Sequence, residues 1–365
     1  MKKSKVRKIG ILTAGGDCPG LNCAIRAIVK AAIGRHGMEV IGFKDGYYGL
    51  VNNEYITLRN RDVSGIINLG GTILGTSNTA NPYRYPVTQG KKLILQDRSK
   101  EAIANYKENG LDCLIAIGGD GTLSVASKLI KEGLNIVGCP KTIDNDLSGM
   151  DVTFGFESAV VTATEAIDKL HSTAQSHHRV MIVEVMGRYA GWIALFSGVA
   201  GGGDIILMPE IPYSMKKIAK KLEERHKVGK RFSIIVIAEG AKPKGGKLTV
   251  AKIVEASTDQ IRLGGVGTML AGAIENMTGL ETRATILGHL QRGGSPTPFD
   301  RNLATRYGYE SLKLAAGRRF GRVAALVGGR VTSIPISKAI GKLKTVPLSH
   351  PFIEMARAIG TSFGD

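Results

Sequence analysis

The 365-residue chain is 43% hydrophobic and carries 49 Lys and Arg against 31 Asp and Glu, a net charge of +18, which is enough apolar material for two ordinary cores. No run reaches the roughly 20 apolar residues that span a bilayer, and the Lys-rich residues 1–5 lead straight into an apolar run with no signal peptide, so a soluble cytoplasmic protein is expected. Nucleic acid is not the expected partner, because aromatics are only 5% of the chain and the basic residues are dispersed apart from short clusters such as Lys216-Lys217; phosphorylated substrates and solvated helix faces account for the excess.

In chain order, the apolar run 6–13 predicts a strand that ends in Ala14-Gly15-Gly16-Asp17-Cys18-Pro19-Gly20, followed by a helical stretch over 21–33. A buried strand that ends in glycines and opens into a helix leaves backbone N–H groups and a helix N-terminus where phosphate oxygens can sit. After a strand at 38–43 the pattern repeats, with the run 111–117 entering Gly118-Gly119-Asp120-Gly121-Thr122. A third strand, 134–139, delivers Pro140-Lys141-Thr142-Ile143-Asp144-Asn145-Asp146, in which Asp144 and Asp146 alternate along an extended segment and so project the same way. An Asx-rich turn is the plainer reading of that segment alone. In a parallel α/β sheet the three loops lie along one edge, where ligands bind. A carboxylate such as Asp120, held beside phosphates, is placed to hold Mg²⁺.

Further strands at 180–185, 204–208, 232–238, 282–287 and 322–328, separated by helical patterns, imply right-handed βαβ units and mainly parallel sheets. Glu239 closes the apolar run 234–238, and an acid at a strand's carboxyl end is more often functional than one inside it. Arg188 and Arg292 read either as surface ion-pair partners or as planar phosphate ligands. His289, after Leu287-Gly288, reads as a satisfied core histidine as readily as a ligand. Cys18, Cys23, Cys113 and Cys139 have neither paired metal-ligand spacing nor the density of a disulfide framework, which suits reduced thiols.

Taken together, TAGGDCPGLN (13–22), GGDGT (118–122), PKTIDND (140–146), SHHRVMIVEVMGRYAGW (176–192), IAEG (237–240), ETRATILGHLQRGGSP (281–296) and FDRNLA (299–304) resemble the 6-phosphofructokinases, in that family's order. The resemblance implies an α/β phosphofructokinase fold of two Rossmann-like domains with mainly parallel sheets. Residues 1–155 plus 291–340 would bind the phosphoryl donor and Mg²⁺, and 156–290 plus 341–365 the sugar phosphate. It further implies transfer of a phosphoryl group from ATP to the 1-hydroxyl of fructose 6-phosphate, a step of glycolysis. Asp144 would be the general base, Thr142 would hydrogen-bond the moving group, the Gly16 N–H and Arg188 would offset its charge, and Asp120 and Asp146 would hold Mg²⁺. The donor would meet Gly16, Tyr47, Gly119, Gly121, Thr122 and Lys141. Met186, Gly187, Glu239, His289 and Arg292 match the family's sugar site. Arg179 and Arg283 match arginines that reach the sugar phosphate from a neighbouring subunit, which implies a homodimer or homotetramer with shared sites.

Some positions depart from the bacterial ATP-dependent pattern. Gly121 is the small residue of nucleotide users, whereas Lys141 resembles the pyrophosphate-dependent branch; Asn78 stands where an arginine often meets the donor, and Val125 where a glycine often lies near adenine. Gly121 is the most directly steric, so ATP is the expected donor and pyrophosphate the alternative. Arg26 and Lys30 suit an anionic effector, but Asn60 and Val228 replace expected cations, so little response to ADP or phosphoenolpyruvate is expected, and the stretch 242–267 is longer than in the short bacterial enzymes. GGDGT also resembles NAD kinases and diacylglycerol kinases, which lack PKTIDND and MGRYAGW. A non-catalytic sugar-phosphate sensor would be expected to lose acids that are intact here.

Overall fold

The computed structural model describes residues 5–90, 92–257 and 260–365. The first half runs β1 (Lys8–Thr13), α1 (Leu21–His36), β2 (Glu39–Phe43), α2 (Tyr47–Asn52), β3 (Tyr55–Thr57), the hairpin β4 (Tyr85–Gln89) and β5 (Lys92–Gln96), α3 (Ser99–Glu108), β6 (Cys113–Gly118), α4 (Asp120–Lys131) and β7 (Ile136–Pro140). Then come α5 (Phe156–His177), β8 (Val180–Val185), α6 (Trp192–Ala200), β9 (Ile205–Leu207), α7 (Met215–Lys227), β10 (Ser233–Ala238), the hairpin β11 (Val250–Ile253) and β12 (Ile261–Leu263), α8 (Val266–Thr278) and β13 (Thr282–Ile286). A 3₁₀ turn (Gly288–Arg292), α9 (Pro298–Ala316), β14 (Arg322–Val327), β15 (Arg330–Pro335), α10 (Ile336–Ala339) and α11 (Pro351–Ala358) complete the chain.

Two sheets organise these elements. The larger has the order β15-β14-β7-β6-β1-β2-β3, and the smaller β13-β8-β10-β9. Every neighbouring pair in the smaller sheet is parallel, and in the larger only the edge strands β3 and β15 run antiparallel. All nine expected strands form. The expectation of mainly parallel α/β sheets is met because the runs are apolar on both faces: β6, β7, β8 and β10 are buried at every residue, as strands covered by helices on both sides must be.

Alternate side chains of the larger sheet enter different cores. Ile9, Ile115 and Val137 pack with α1, α5 and α9 residues such as Ile25, Ile167 and Leu303, and that core continues into the smaller sheet through Val183 and Val236. Leu12, Leu114 and Ile136 face α2, α3 and α4 through Leu50, Ala102 and Leu129. The outer face of the smaller sheet is closed by α7 and α8. α9 packs against α1, α5 and the larger sheet, with Thr297 as its cap, its hydroxyl accepting from the Asp300 N–H, and Pro298 in its first turn. All four cysteines are free and buried. Among the described residues no helix is long and apolar enough to cross a membrane.

Candidate active site

The loops after β1, β6 and β7 leave the sheet level with one another. Thr13 is paired with Ile117, and Gly118 with Pro140, and the ladder continues into the loops through Ala14 N–H to Ile117 O (3.0 Å) and Lys141 N–H to Gly118 O (3.0 Å). Side chains then tie the loops together. The Thr122 hydroxyl donates to Ala14 O at 3.0 Å, Tyr47 Oη donates to Thr122 O at 2.8 Å, and the Lys141 ammonium donates to Gly16 O. Gly118 is required here by close approach, since a Cβ would run into the Thr122 side chain.

These loops enclose a cavity of about 330 Å³. Of the residues expected to act, Gly16, Tyr47, Gly119, Asp120, Gly121 and Thr122 line it, as do Lys141, Thr142, Asp144, Asp146, Arg188 and Arg292. Asn78 and Val125 line it too. Asp144 and Asp146 converge on it, but not by strand alternation: Asn145 between them adopts φ 52°, a left-handed turn that asparagine tolerates better than most residues. The Asp144 N–H bonds Thr142 Oγ1 at 3.1 Å, and the Asn145 side chain accepts from the Thr153 N–H at 3.2 Å. The segment turns, as the plainer reading expected, but it is held by the Thr142 hydroxyl and a distant backbone N–H and not by Asx turns.

The second sheet supplies the other wall. After β8 the chain turns through Gly187 (φ 133°) and Arg188 (φ 51°), bringing Arg188 and Tyr189 into the cavity. Glu239 follows β10 and accepts the Arg188 N–H at 3.1 Å. Gly240 must be glycine because a Cβ there would strike the Arg188 carbonyl. Met186 and Gly187 lie on this turn outside the cavity lining, and Met186 is half-buried against the core. His289 and Arg292 share the 3₁₀ turn after β13. His289 is exposed, so the core-histidine reading is wrong for it. The Arg292 guanidinium crosses directly over Gly16, and among the described residues its buried Nε has no hydrogen-bond partner.

Arg179 and Arg283 are not brought to this cavity. They stand at the amino ends of β8 and β13, a strand length of roughly 20 Å from the carboxyl ends that carry Arg188 and His289. There Glu281 takes both, from Arg179 Nη2 at 2.8 Å and Arg283 Nη2 at 2.7 Å.

The electrostatics of the cavity are unbalanced toward burial of charge. Asp146 is pushed up to about 7, first by burial and then by the neighbouring Asp144 charge, with Arg188 acting in the opposite direction. Glu239 is also raised to about 7 by burial and by Asp144. Lys141 is lowered, chiefly by its burial. Asp144 Oδ1, although buried, has no hydrogen-bond partner among the described residues. Among the described residues, no three His, Cys, Asp or Glu side chains close on a metal by themselves. The oxygen-only set at Asp120 and Asp146 fits Mg²⁺, which is bound through one or two carboxylates together with substrate phosphates and water.

Residues 8–315 match the family model described as phosphofructokinase. The chain belongs to the phosphofructokinase family. It is 51% identical over 366 residues to the ATP-dependent 6-phosphofructokinase of Spirochaeta thermophila, covering 100% of both. It is 50% identical to ATP-dependent 6-phosphofructokinase 2 of Clostridium perfringens, covering 99% of both. With the pyrophosphate–fructose 6-phosphate 1-phosphotransferase of Amycolatopsis mediterranei the identity is 48%, over 94% of this chain and 97% of that one. The Pichia pastoris phosphofructokinase crystal structure superposes with a TM-score of 0.77 at 32% identity, over 92% of this chain but only 35% of that longer one.

Residues without an assigned role in the sequence also line the phosphofructokinase cavity. Ser257, from the loop between β11 and β12, places the long 242–267 stretch at the site. Gly341 and Leu343 arrive from the C-terminal region; a short Gly-Lys-Leu-Lys run has no pattern that announces a ligand site.

An acid raised in the native state favours folding while it can stay protonated, and that benefit is lost as pH rises through the native value. For Asp146 the window runs from the ordinary carboxylate range near 4 up to about 7. In EDTA, Asp146→Asn should therefore raise Tm by about 2 °C or more at pH 8, with the gain shrinking steadily toward pH 4. Thermal unfolding across that range is the check, and a pH-independent difference would contradict the buried-charge account.

Proposed function

We propose that this chain is an ATP-dependent 6-phosphofructokinase, transferring the γ-phosphoryl group of ATP to the 1-hydroxyl of fructose 6-phosphate and releasing ADP and fructose 1,6-bisphosphate. The observation that carries the reading is the buried, unpartnered Asp144 Oδ1, set in a cavity built from glycine loops that leave the N-terminus of α4 open to phosphate. A carboxylate so placed takes the proton from the sugar hydroxyl as its oxygen forms the bond to the γ-phosphorus and the bond to the ADP oxygen breaks. Arg188, with the Gly16 N–H and the Thr142 hydroxyl, offsets charge on the moving group. Asp120 and Asp146 would hold Mg²⁺, which would supply positive charge to the donor phosphates.

Donor residues Tyr47, Gly119, Gly121, Thr122 and Lys141 sit on the larger sheet's side, and the sugar is read by Met186, Gly187, Glu239, His289 and Arg292 on the other. The split into 1–155 plus 291–340 and 156–290 plus 341–365 follows the two sheets, with the sugar bound between them. Arg179 and Arg283 serve the site of a neighbouring subunit, since they lie at the far end of their own strands, and the working form is a homodimer or homotetramer in the cytoplasm. Pyrophosphate is the second reading for the donor, supported by Lys141 and by the identity to the Amycolatopsis mediterranei protein.

Three outcomes are expected. Asp144→Asn should lower kcat by at least roughly 10²-fold while fructose 6-phosphate affinity stays within a few fold; near-normal turnover removes Asp144 from this role. Co-assembling Arg179→Ala chains with Asp144→Asn chains should regenerate some intact sites. If demonstrably exchanged oligomers show no recovery, the arginine acts within its own chain. With saturating sugar and Mg²⁺, kcat/KM for ATP should exceed that for pyrophosphate, and the reverse order would make pyrophosphate the donor.

A further inference from the structure

After α10 the chain does not leave the site but crosses it. Residues 341–346 lie antiparallel to the end of the aspartate loop, with Leu343 bridged to Leu147. The Gly341 N–H donates to Asp120 Oδ1 at 3.0 Å, and the Lys344 N–H donates to Asp146 O at 2.8 Å. One short run thus touches both acids that this reading assigns to Mg²⁺, and its Leu343 lines the cavity between them.

Lys344 makes the contacts that no surface lysine makes. Its ammonium donates to Asn145 Oδ1 at 2.9 Å, Met150 O at 3.1 Å and Asp151 O at 2.8 Å, and it sits 5.3 Å from the centre of the Trp192 ring. The Trp192 indole N–H in turn donates to Lys344 O at 2.7 Å. Two residues on, the Val346 N–H donates to Glu210 Oε1 at 2.8 Å, and Glu210 also accepts the Gly191 N–H at 3.0 Å. The segment therefore joins the aspartate loop of the larger sheet to the 186–192 turn of the smaller one.

We propose that residues 341–346 are a strap and that Lys344 is a positioning residue for phosphoryl transfer. It fixes the side chain of Asn145 and so holds the left-handed turn that aims Asp144 and Asp146 into the cavity. Asn145 is 4% exposed and its Oδ1 has two donors, Thr153 N–H and Lys344. A hydrogen bond from a charged donor is the stronger kind. Without the Lys344 ammonium the Asn145 side chain keeps one weaker tie, to the Thr153 N–H, the Met150 and Asp151 carbonyls lose this partner, and the two carboxylates no longer keep their mutual orientation. The groups that meet the sugar stand on the other sheet and do not depend on that bond. This inference rests on the assignment of Asp120, Asp144 and Asp146 made above.

The chain has a single tryptophan, so Trp192 emission reads the strap directly, without turnover. Mg²⁺ and ATP titrated into the wild-type protein in the absence of sugar should change that emission. Lys344→Met, which keeps an unbranched side chain but removes the ammonium, should abolish the change, raise the half-saturating Mg²⁺ by roughly tenfold and lower kcat by a similar factor, with the fructose 6-phosphate KM within twofold. Asn145→Gly keeps the left-handed turn but removes the acceptor; it should reproduce these effects, and the double variant should be no worse than either single one. Additive losses, a wild-type Mg²⁺ dependence in either variant, or a fall in sugar affinity equal to the fall in kcat would overturn the proposal. Should Lys344→Met fail to fold, Asn145→Gly alone decides it by the same Mg²⁺ dependence. A wild-type protein that does not phosphorylate fructose 6-phosphate would remove the function proposed above, yet the emission titration would still test the strap.

Discussion

The site depends on the register of three parallel strands. Because β1, β6 and β7 end within one residue of each other and continue their ladder into the first residue of each loop, the loops start level and turn in the same direction. The short ties Thr122 to Ala14 and Lys141 to Gly16 then have only small gaps to span. A one-residue slip of β7 against β6 would put Lys141 on the opposite face of the sheet and break the cavity, whatever the rest of the fold did. The full burial of these strands fixes that register, since a slip would turn each buried side chain toward the wrong core.

Such a rigid frame can hold charges that repel each other. Asp144, Asp146 and Glu239 lie close enough that each raised acid owes part of its shift to Asp144, while Lys141 is a buried cation on the same floor. In the absence of ligand this arrangement costs stability, and under the proposed function binding of cation and phosphate groups would offset that cost. The buried Asp144 oxygen left without a partner among the described residues belongs to the same crowded set of acids, and in the proposed reaction it is the oxygen free to take the sugar's proton.

Much of this was legible in the residues. Strands apolar on both faces between helical periods left little choice but parallel sheets, and the glycine loops marked which ends carry the site. The hairpins β4–β5 and β11–β12 and the edge strands β3 and β15 did not stand out, because short half-exposed strands lack a continuous apolar run. Gly328-Gly329 before β15 was a turn signal that could have been read. The convergence of Asp144 and Asp146 was anticipated for the wrong reason. Strand alternation would have required an extended Asn145, whereas Asn145 is left-handed with its Oδ1 accepting from the Thr153 N–H and the Lys344 ammonium. The strap over 341–346 could not be foreseen, since its contacts to Asp120 and Asp146 come mainly from backbone N–H groups, which every sequence has.

The two residues that pull the donor assignment in opposite directions both line the cavity, on different elements: Lys141 just after β7 and Gly121 in α4. Lys141 reaches back to the Gly16 carbonyl, under Arg292 and beside Asp144, which in the proposed reaction is the end where the phosphoryl group moves. ATP and pyrophosphate both present a phosphoryl group at that end, so a cation there assists transfer from either and selects neither. Gly121 lies in the first turn of α4, next to Thr122, whose carbonyl accepts the Tyr47 hydroxyl; in the proposed reaction a donor extending beyond two phosphates needs space there. Specificity is set by a difference in binding between competitors, and in the proposed reaction only the part of ATP beyond its two terminal phosphates distinguishes the donors. On that reading the absence of a side chain at residue 121 carries more of the donor choice than the presence of a lysine at 141.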